Sequence, residues 1–125
     1  MYDALQKGFE KSTGEIMAWI NSDDIYFSLT LKTVLYLFNE NRNIQWLTSS
    51  CCNIDENSYV LNNGLLTNTS LKKISLFKKY PSQEATFWKR NLWERAGNNL
   101  DHSFKYAGDS DLWLRFIKYE QLYTV

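Results

Sequence analysis

Hydrophobic residues along this chain fall into short blocks of two kinds, an unbroken run near the start and helix-spaced stripes after it. Ile16-Met17-Ala18-Trp19-Ile20 is unbroken; Ser12-Thr13-Gly14 precedes it, and Asn21-Ser22-Asp23-Asp24 ends it abruptly. An apolar run of this length without polar alternation predicts a strand buried on both faces, as in a parallel sheet covered by helices. Ahead of it, Asp3 to Lys11 has helical spacing with Ala4, Leu5 and Gly8 on one face. After it, Leu31, Val34, Leu35 and Phe38 form the stripe of a helix from about Leu29 to Phe38, with Ser28 placed to cap it and Asn39 to Asn43 as a polar end. Trp46 to Ile54 reads as a second strand, Asp55-Glu56-Asn57-Ser58 as a hairpin turn, and Tyr59-Val60-Leu61 as the returning strand. A loop is expected over Asn62 to Asn68, then a short helix capped by Ser70, with Leu71, Ile74 and Phe77 inside and Lys72, Lys73, Lys78 and Lys79 outside. Beyond Pro81, Ala85 to Trp88 predicts a strand, Asn91 with Glu94 a helix start that Gly97 ends, and Leu112, Trp113, Phe116 and Ile117 a last amphipathic helix.

The chemistry concentrates where apolar blocks meet acids. Open α/β sheets bind ligands beyond the carboxyl ends of their strands, which is where Asp23 and Asp24 stand. Unpaired carboxylates are costly to bury, but they suit a hard divalent cation. The competing reading makes them a polar loop in which one Asp caps the next helix, and Ser28 is better placed for that task. Asp109 and Asp111 begin the last helix, where the positive end of the helix dipole favours carboxylates whether or not they do chemistry. Asp109-Ser110-Asp111 also matches a phosphatase nucleophile pattern, but Phe104 to Ala107 is a poor buried strand to carry it.

Composition removes several classes of function. At 125 residues and 44% hydrophobic content the chain suits one domain, residues 1–125, with a true core. Charge is balanced at 14 Lys+Arg against 14 Asp+Glu, which removes long-range attraction to nucleic acid. No apolar run reaches the length of a membrane span and no signal peptide opens the chain, so a cytoplasmic protein is expected, with peripheral membrane association left open. Aromatic residues make up 16% of the chain and sit mostly inside apolar patterns, so core packing is their expected role. Cys51 and Cys52 point to opposite faces of a strand, which fits reduced structural thiols and no metal site. The single histidine, His102, lies in a polar turn without a nucleophile beside it. Asp55, Asn57 and Gly64 fail calcium-loop spacing.

Three blocks in order resemble the family 2 glycosyltransferases of the GT-A fold. They are Tyr2-Asp3-Ala4-Leu5-Gln6-Lys7-Gly8-Phe9 running on to Asn21-Ser22-Asp23-Asp24; Gln83-Glu84-Ala85-Thr86-Phe87-Trp88-Lys89-Arg90 with Leu92-Trp93-Glu94-Arg95-Ala96-Gly97; and Gly108-Asp109-Ser110-Asp111-Leu112-Trp113-Leu114-Arg115. The resemblance implies a partial GT-A domain of the α/β class, with a mixed sheet flanked by helices and without the opening nucleotide-binding strands. It implies transfer of a sugar from a nucleotide-sugar to a saccharide or lipid-linked acceptor hydroxyl, with inversion and with Mg or Mn. It further implies that Asp109 is the catalytic base, Asp24 the metal ligand, Asp23 and Asp3 donor-binding residues, and Gln83 or Glu84 acceptor-binding residues. Gln6 stands where the family commonly has Asn, and Gly108 where it usually has an acid. Arg115 is expected to pair with a nearby acid. The alternative is a catalytically inactive piece that binds a partner, or a second copy of itself, through an exposed sheet edge.

Overall fold

The computed structural model describes residues 1–63, 80–101 and 103–125. The helix expected after Ser70, its basic face and His102 lie outside the described residues, as does Gly64. In chain order the elements are α1 (Tyr2–Lys11), β1 (Ile16–Met17), α2 (Thr30–Glu40), β2 (Trp46–Thr48), β3 (Cys52–Ile54), β4 (Val60–Asn63), a 3-10 turn (Gln83–Ala85), β5 (Thr86–Lys89), α3 (Arg90–Arg95), α4 (Gly108–Phe116) and β6 (Tyr123–Thr124).

Four strands form a mixed sheet in the order β1-β5-β2-β6. β5 runs antiparallel to both neighbours, with Met17 opposite Trp88 and Leu47 opposite Phe87. β6 returns parallel to β2. Side chains alternate across a strand, and here that period sorts the residues into two cores. Met17, Trp46 and Trp88 face α1, α3 and α4, where Phe9, Trp93, Leu112, Trp113 and Phe116 meet them. Ile16, Leu47 and Phe87 face the other way, onto Val34 and Phe38 of α2. The sheet is therefore the middle of three layers, and the mixed α/β class holds.

Trp113 is the hub of the larger core. Its ring stacks on Trp19 at 6.0 Å and on Trp46 at 5.8 Å, and meets Trp88 edge-on at 5.5 Å. Aromatic pairs at these separations add to the gain from burial itself. Trp46 also satisfies its own N–H, donating to the Glu120 carbonyl at 3.1 Å, which ties the start of β2 to the chain just after α4. On β2 and β5, the facing pair Thr48 and Thr86 joins through its hydroxyls at 3.0 Å.

Several local expectations are corrected. The strand at 16–20 is a two-residue edge ladder with a hydrogen-bonded neighbour on one side, antiparallel, and Ile20 is exposed. Helix α1 buries Tyr2, Gln6 and Phe9, while Ala4 and Gly8 face solvent, because the residues ahead of Asp3 and the polar Gln6 complete the stripe. α2 begins at Thr30 after Leu29, without a side-chain cap from Ser28, and leaves Leu31 and Leu35 exposed. The stretch 46–54 is two strands in different sheets, broken at 49–51, so Cys51 precedes β3 and its thiol sits 3.4 Å from the Ser82 hydroxyl. Both cysteines are free. The hairpin turn forms as expected: the Asp55 carboxylate accepts from the Asn57 and Tyr59 amides at 2.9 Å each, and Ser58 takes a positive φ. β4 continues through Asn62 and Asn63, where a loop was expected. Asn91 lies inside α3 rather than capping it, since that helix starts directly from the last residue of β5; Gly97, at φ +106°, does end the segment.

Removing the hub should be costly. Trp113→Ala is expected to destabilise the domain by about 3–5 kcal/mol, the range for emptying a buried aromatic site. Urea unfolding followed by far-UV dichroism measures this; a change within 1 kcal/mol, in the range of surface substitutions, would show that the cluster does not hold the layers together.

Candidate active site

The segment Ala18–Asp24 leaves the sheet where β1 ends and β5 begins. Its course is held by one amide. Asn21 Nδ2 donates to Asp24 Oδ2 at 3.0 Å and to Gln83 Oε1 at 3.0 Å, and Gln83 Nε2 in turn donates to the Trp19 carbonyl. The acidic motif and the 3-10 turn before β5 are thereby tied together, although 62 residues separate Asn21 from Gln83. Gln83 is buried and both ends of its amide are engaged, whereas the neighbouring Glu84 is half-buried. Asp24 is half-buried and Asp23 exposed, as expected from adjacent side chains that diverge.

Asp109 opens a helix that packs against this segment. Trp113, one helical turn beyond Asp109, lies flat against Trp19, two residues before Asn21. The strand that runs into Asp23 and Asp24 therefore packs against the helix that Asp109 opens. Gly108 fixes the start of that helix. Its amide donates to the Tyr2 hydroxyl at 2.9 Å, and a Cβ at Gly108 would stand 2.7 Å from the Tyr2 ring. Glycine suits this position because the Tyr2 ring fills the space a side chain would need. Ala107 takes a left-handed conformation, φ 64°, to turn into the helix. Tyr2 also precedes Asp3, so the first turn of α1 and the first turn of α4 meet at this contact.

The carboxylates differ in their partners. Asp111 is paired with Arg115 Nε at 3.0 Å, as expected for an acid one turn away. The rest of the Arg115 guanidinium holds the Ala96 and Asn99 carbonyls at 2.6 and 2.8 Å, closing the loop between α3 and α4. Asp3 pairs with Lys7 at 2.8 Å on the surface, and hydrogen bonding and charge from Asp3 raise the Lys7 amine above its usual range. Asp109 makes no hydrogen bond or ion pair among the described residues and is half-buried at the positive end of α4. Of the two acids in that turn, Asp111 has a structural partner and Asp109 is available.

For a divalent ion, the described residues contain no group of three His, Cys, Asp or Glu side chains. Asp24 nevertheless offers hard carboxylate oxygens, one of them oriented by Asn21. That suits Mg or Mn bound in the mode that uses one or two carboxylates, with substrate phosphates and water completing the shell. Burial, and after it the charge of Asp24, push the Tyr26 phenol above its usual value.

Three positioning residues escaped the sequence reading in whole or part. Gln6 is buried, accepts from the Leu100 amide at 2.9 Å and donates to the Asn98 carbonyl at 3.2 Å, so it ties α1 to the loop that leads toward α4. Tyr2 and Asn21 act on partners 106 and 62 residues away, and nothing local signals either contact.

A three-layer domain with a mixed sheet, with acids where β1 ends and at the start of a helix packed against it, is consistent with a partial GT-A glycosyltransferase fold. The sequence model of glycosyl transferase family 2 matches residues 1–115, and the chain belongs to that family. Comparison with curated proteins gives no match.

Two measurements test this geometry. Gly108→Ala should cost about 1–3 kcal/mol through overpacking against Tyr2, and pairing it with Tyr2→Ala should recover part of that loss relative to Tyr2→Ala alone; additive losses in the double-mutant cycle would contradict the contact. Because the folded state holds the Tyr26 proton more tightly than the unfolded chain does, its stabilising contribution is complete below about pH 10 and is lost as pH rises through the elevated folded value. Phenolate absorbance should show Tyr26 ionising after the exposed tyrosines, and Tyr26→Phe should flatten the alkaline end of the stability profile.

Proposed function

We propose that the domain transfers a sugar from a nucleotide-sugar to the hydroxyl of a saccharide or lipid-linked acceptor, with inversion at the anomeric carbon. The observation that carries this reading is the state of Asp109: a carboxylate with no hydrogen bond or ion pair among the described residues, half-buried at the head of a helix whose Trp113 packs on Trp19 in the segment leading to Asp24. In the proposed reaction, Asp109 accepts the proton of the acceptor hydroxyl as its oxygen attacks the anomeric carbon. The bond from that carbon to the diphosphate oxygen breaks, and the pair of electrons leaves with the nucleoside diphosphate. Asp24 would hold Mg or Mn, which when bound supplies positive charge against the departing diphosphate. Asp23, exposed beside it, is proposed to contact the donor, together with Asp3 across the Tyr2–Gly108 contact. Glu84 is the better of the two acceptor-binding candidates, since Gln83 is already engaged in holding the loop.

A second reading has its own support. Exposed Ile20, Leu31 and Leu35 line an apolar groove of about 360 Å³ with Ile16 and Met17 of β1, which among the described residues is an edge strand of the sheet. An apolar surface of this kind suits association through the sheet edge, with the domain binding rather than catalysing. Calorimetry with UDP-, GDP- and dTDP-sugars plus manganese separates the two readings: metal-dependent donor binding favours transfer, and silence at millimolar ligand favours the binding domain.

In preparations that show transfer, Asp109→Asn is expected to lower turnover by about two to four powers of ten, the usual loss for a general base. Its melting temperature should stay near that of the parent, because the side chain makes no hydrogen bond or ion pair among the described residues. Near-normal turnover in this variant would remove Asp109 from the mechanism.

A further inference from the structure

The opposite end of the same two strands carries a different chemistry. Where β1 begins and β5 ends, a cleft of about 540 Å³ is lined by Glu15, Arg42, Gln45, Lys89, Arg90 and Asn91, with Ile16 and Phe38 also on its wall. Ile16 pairs with Lys89, so this cleft belongs to the rim away from Asn21–Asp24 and Gln83. Three cations face one carboxylate there, and none of the three is in a salt bridge among the described residues. Two are fixed by neutral acceptors. Lys89 Nζ donates to the Arg42 carbonyl at 2.8 Å and rides over the Phe38 ring, and Arg90 holds the Gly14 carbonyl and the Ser12 hydroxyl at 2.8 and 2.7 Å. The Arg42 guanidinium has no hydrogen bond or ion pair among the described residues.

Carbonyl and hydroxyl partners orient a cation without cancelling its charge, so Lys89 and Arg90 are held in place while their charge and remaining N–H donors stay available. An excess of two positive charges matches a dianion, and guanidinium forks match the paired oxygens of phosphate. The cleft volume lies within the range of small-molecule sites. We propose that this rim is a binding site for a phosphate-bearing ligand, either a soluble organic phosphate or the headgroup of an anionic lipid, with Arg42 as the free contact and Lys89 and Arg90 as the fixed ones. The site does not depend on the transferase reading, since it shares no residue with the acids of the other rim.

Pyrophosphate is the soluble probe, and vesicles of phosphatidylcholine containing phosphatidylserine are the membrane probe. Titration with pyrophosphate at low salt, followed by amide NMR, should give saturable shifts at Ile16, Gln45 and Asn91. Arg42→Glu should weaken binding by about tenfold or more, the scale of one charge-assisted contact, and Lys89→Gln should weaken it independently. Thermal melts of both variants identify any that fails to fold, and Arg42→Gln serves as the milder replacement. Saturable pyrophosphate binding that the variants weaken supports a soluble phosphate as the ligand. Vesicle co-sedimentation that the variants abolish, without pyrophosphate saturation, supports a lipid headgroup. Absence of both, or binding that folded variants at Arg42 and Lys89 leave unchanged, overturns the proposal.

Discussion

The stacking of Trp19 on Trp113 is the contact on which the rest of this domain depends. One ring belongs to the segment leaving β1 and the other to α4, so their burial sets both the thickness of the main core and the place of the helix that carries Asp109. Around the pair, Trp46 stacks on Trp113, while Trp88 and Phe116 fill the space with edge-on and tilted contacts. Large rigid rings need few neighbours to fill a core and lose little rotamer freedom on ordering. A short mixed sheet with ladders of only two or three residue pairs is held by those rings more than by its own hydrogen bonds.

That arrangement has a cost in polar satisfaction. The indole N–H groups of Trp88 and Trp113 are buried without a partner among the described residues, while that of Trp46 reaches a carbonyl. Each unsatisfied group opposes folding by about 1–3 kcal/mol, less than the aromatic burial at the same rings contributes. Polar links operate at the margins of the core instead. Gln6, Tyr2, Asn21 and Arg115 each tie a loop or helix start to a distant element, and together they place the ends of the chain segments that carry the acids.

Charge is distributed with the same separation. Asp23 and Asp24 lie beyond the end of β1, beside the turn that opens β5, and cations without a salt bridge among the described residues lie where β1 begins and β5 ends. A chain with no net charge thus presents two rims of different character, because the antiparallel pairing of β1 with β5 puts the polar residue at each strand terminus on its own side.

Local patterns were enough for the helices seen among the described residues and for the hairpin turn at Asp55, since each rests on spacing that a few residues express, whereas the mixed sheet was implied by the family resemblance. They also marked Asp23, Asp24, Asp109 and Asp111 as the acids of interest. Only the tertiary structure separated Asp111, paired with Arg115, from Asp109, which has no such partner among the described residues, and only it explained Gly108 by the Tyr2 ring. It likewise made the run at 16–20 a short antiparallel edge strand, with both faces covered at Ile16 and Met17, split 46–54 between two sheets, and left half the α2 stripe exposed. Those outcomes rest on partners tens of residues away, and a periodicity of two or of 3.6 says which face is apolar but not what covers it.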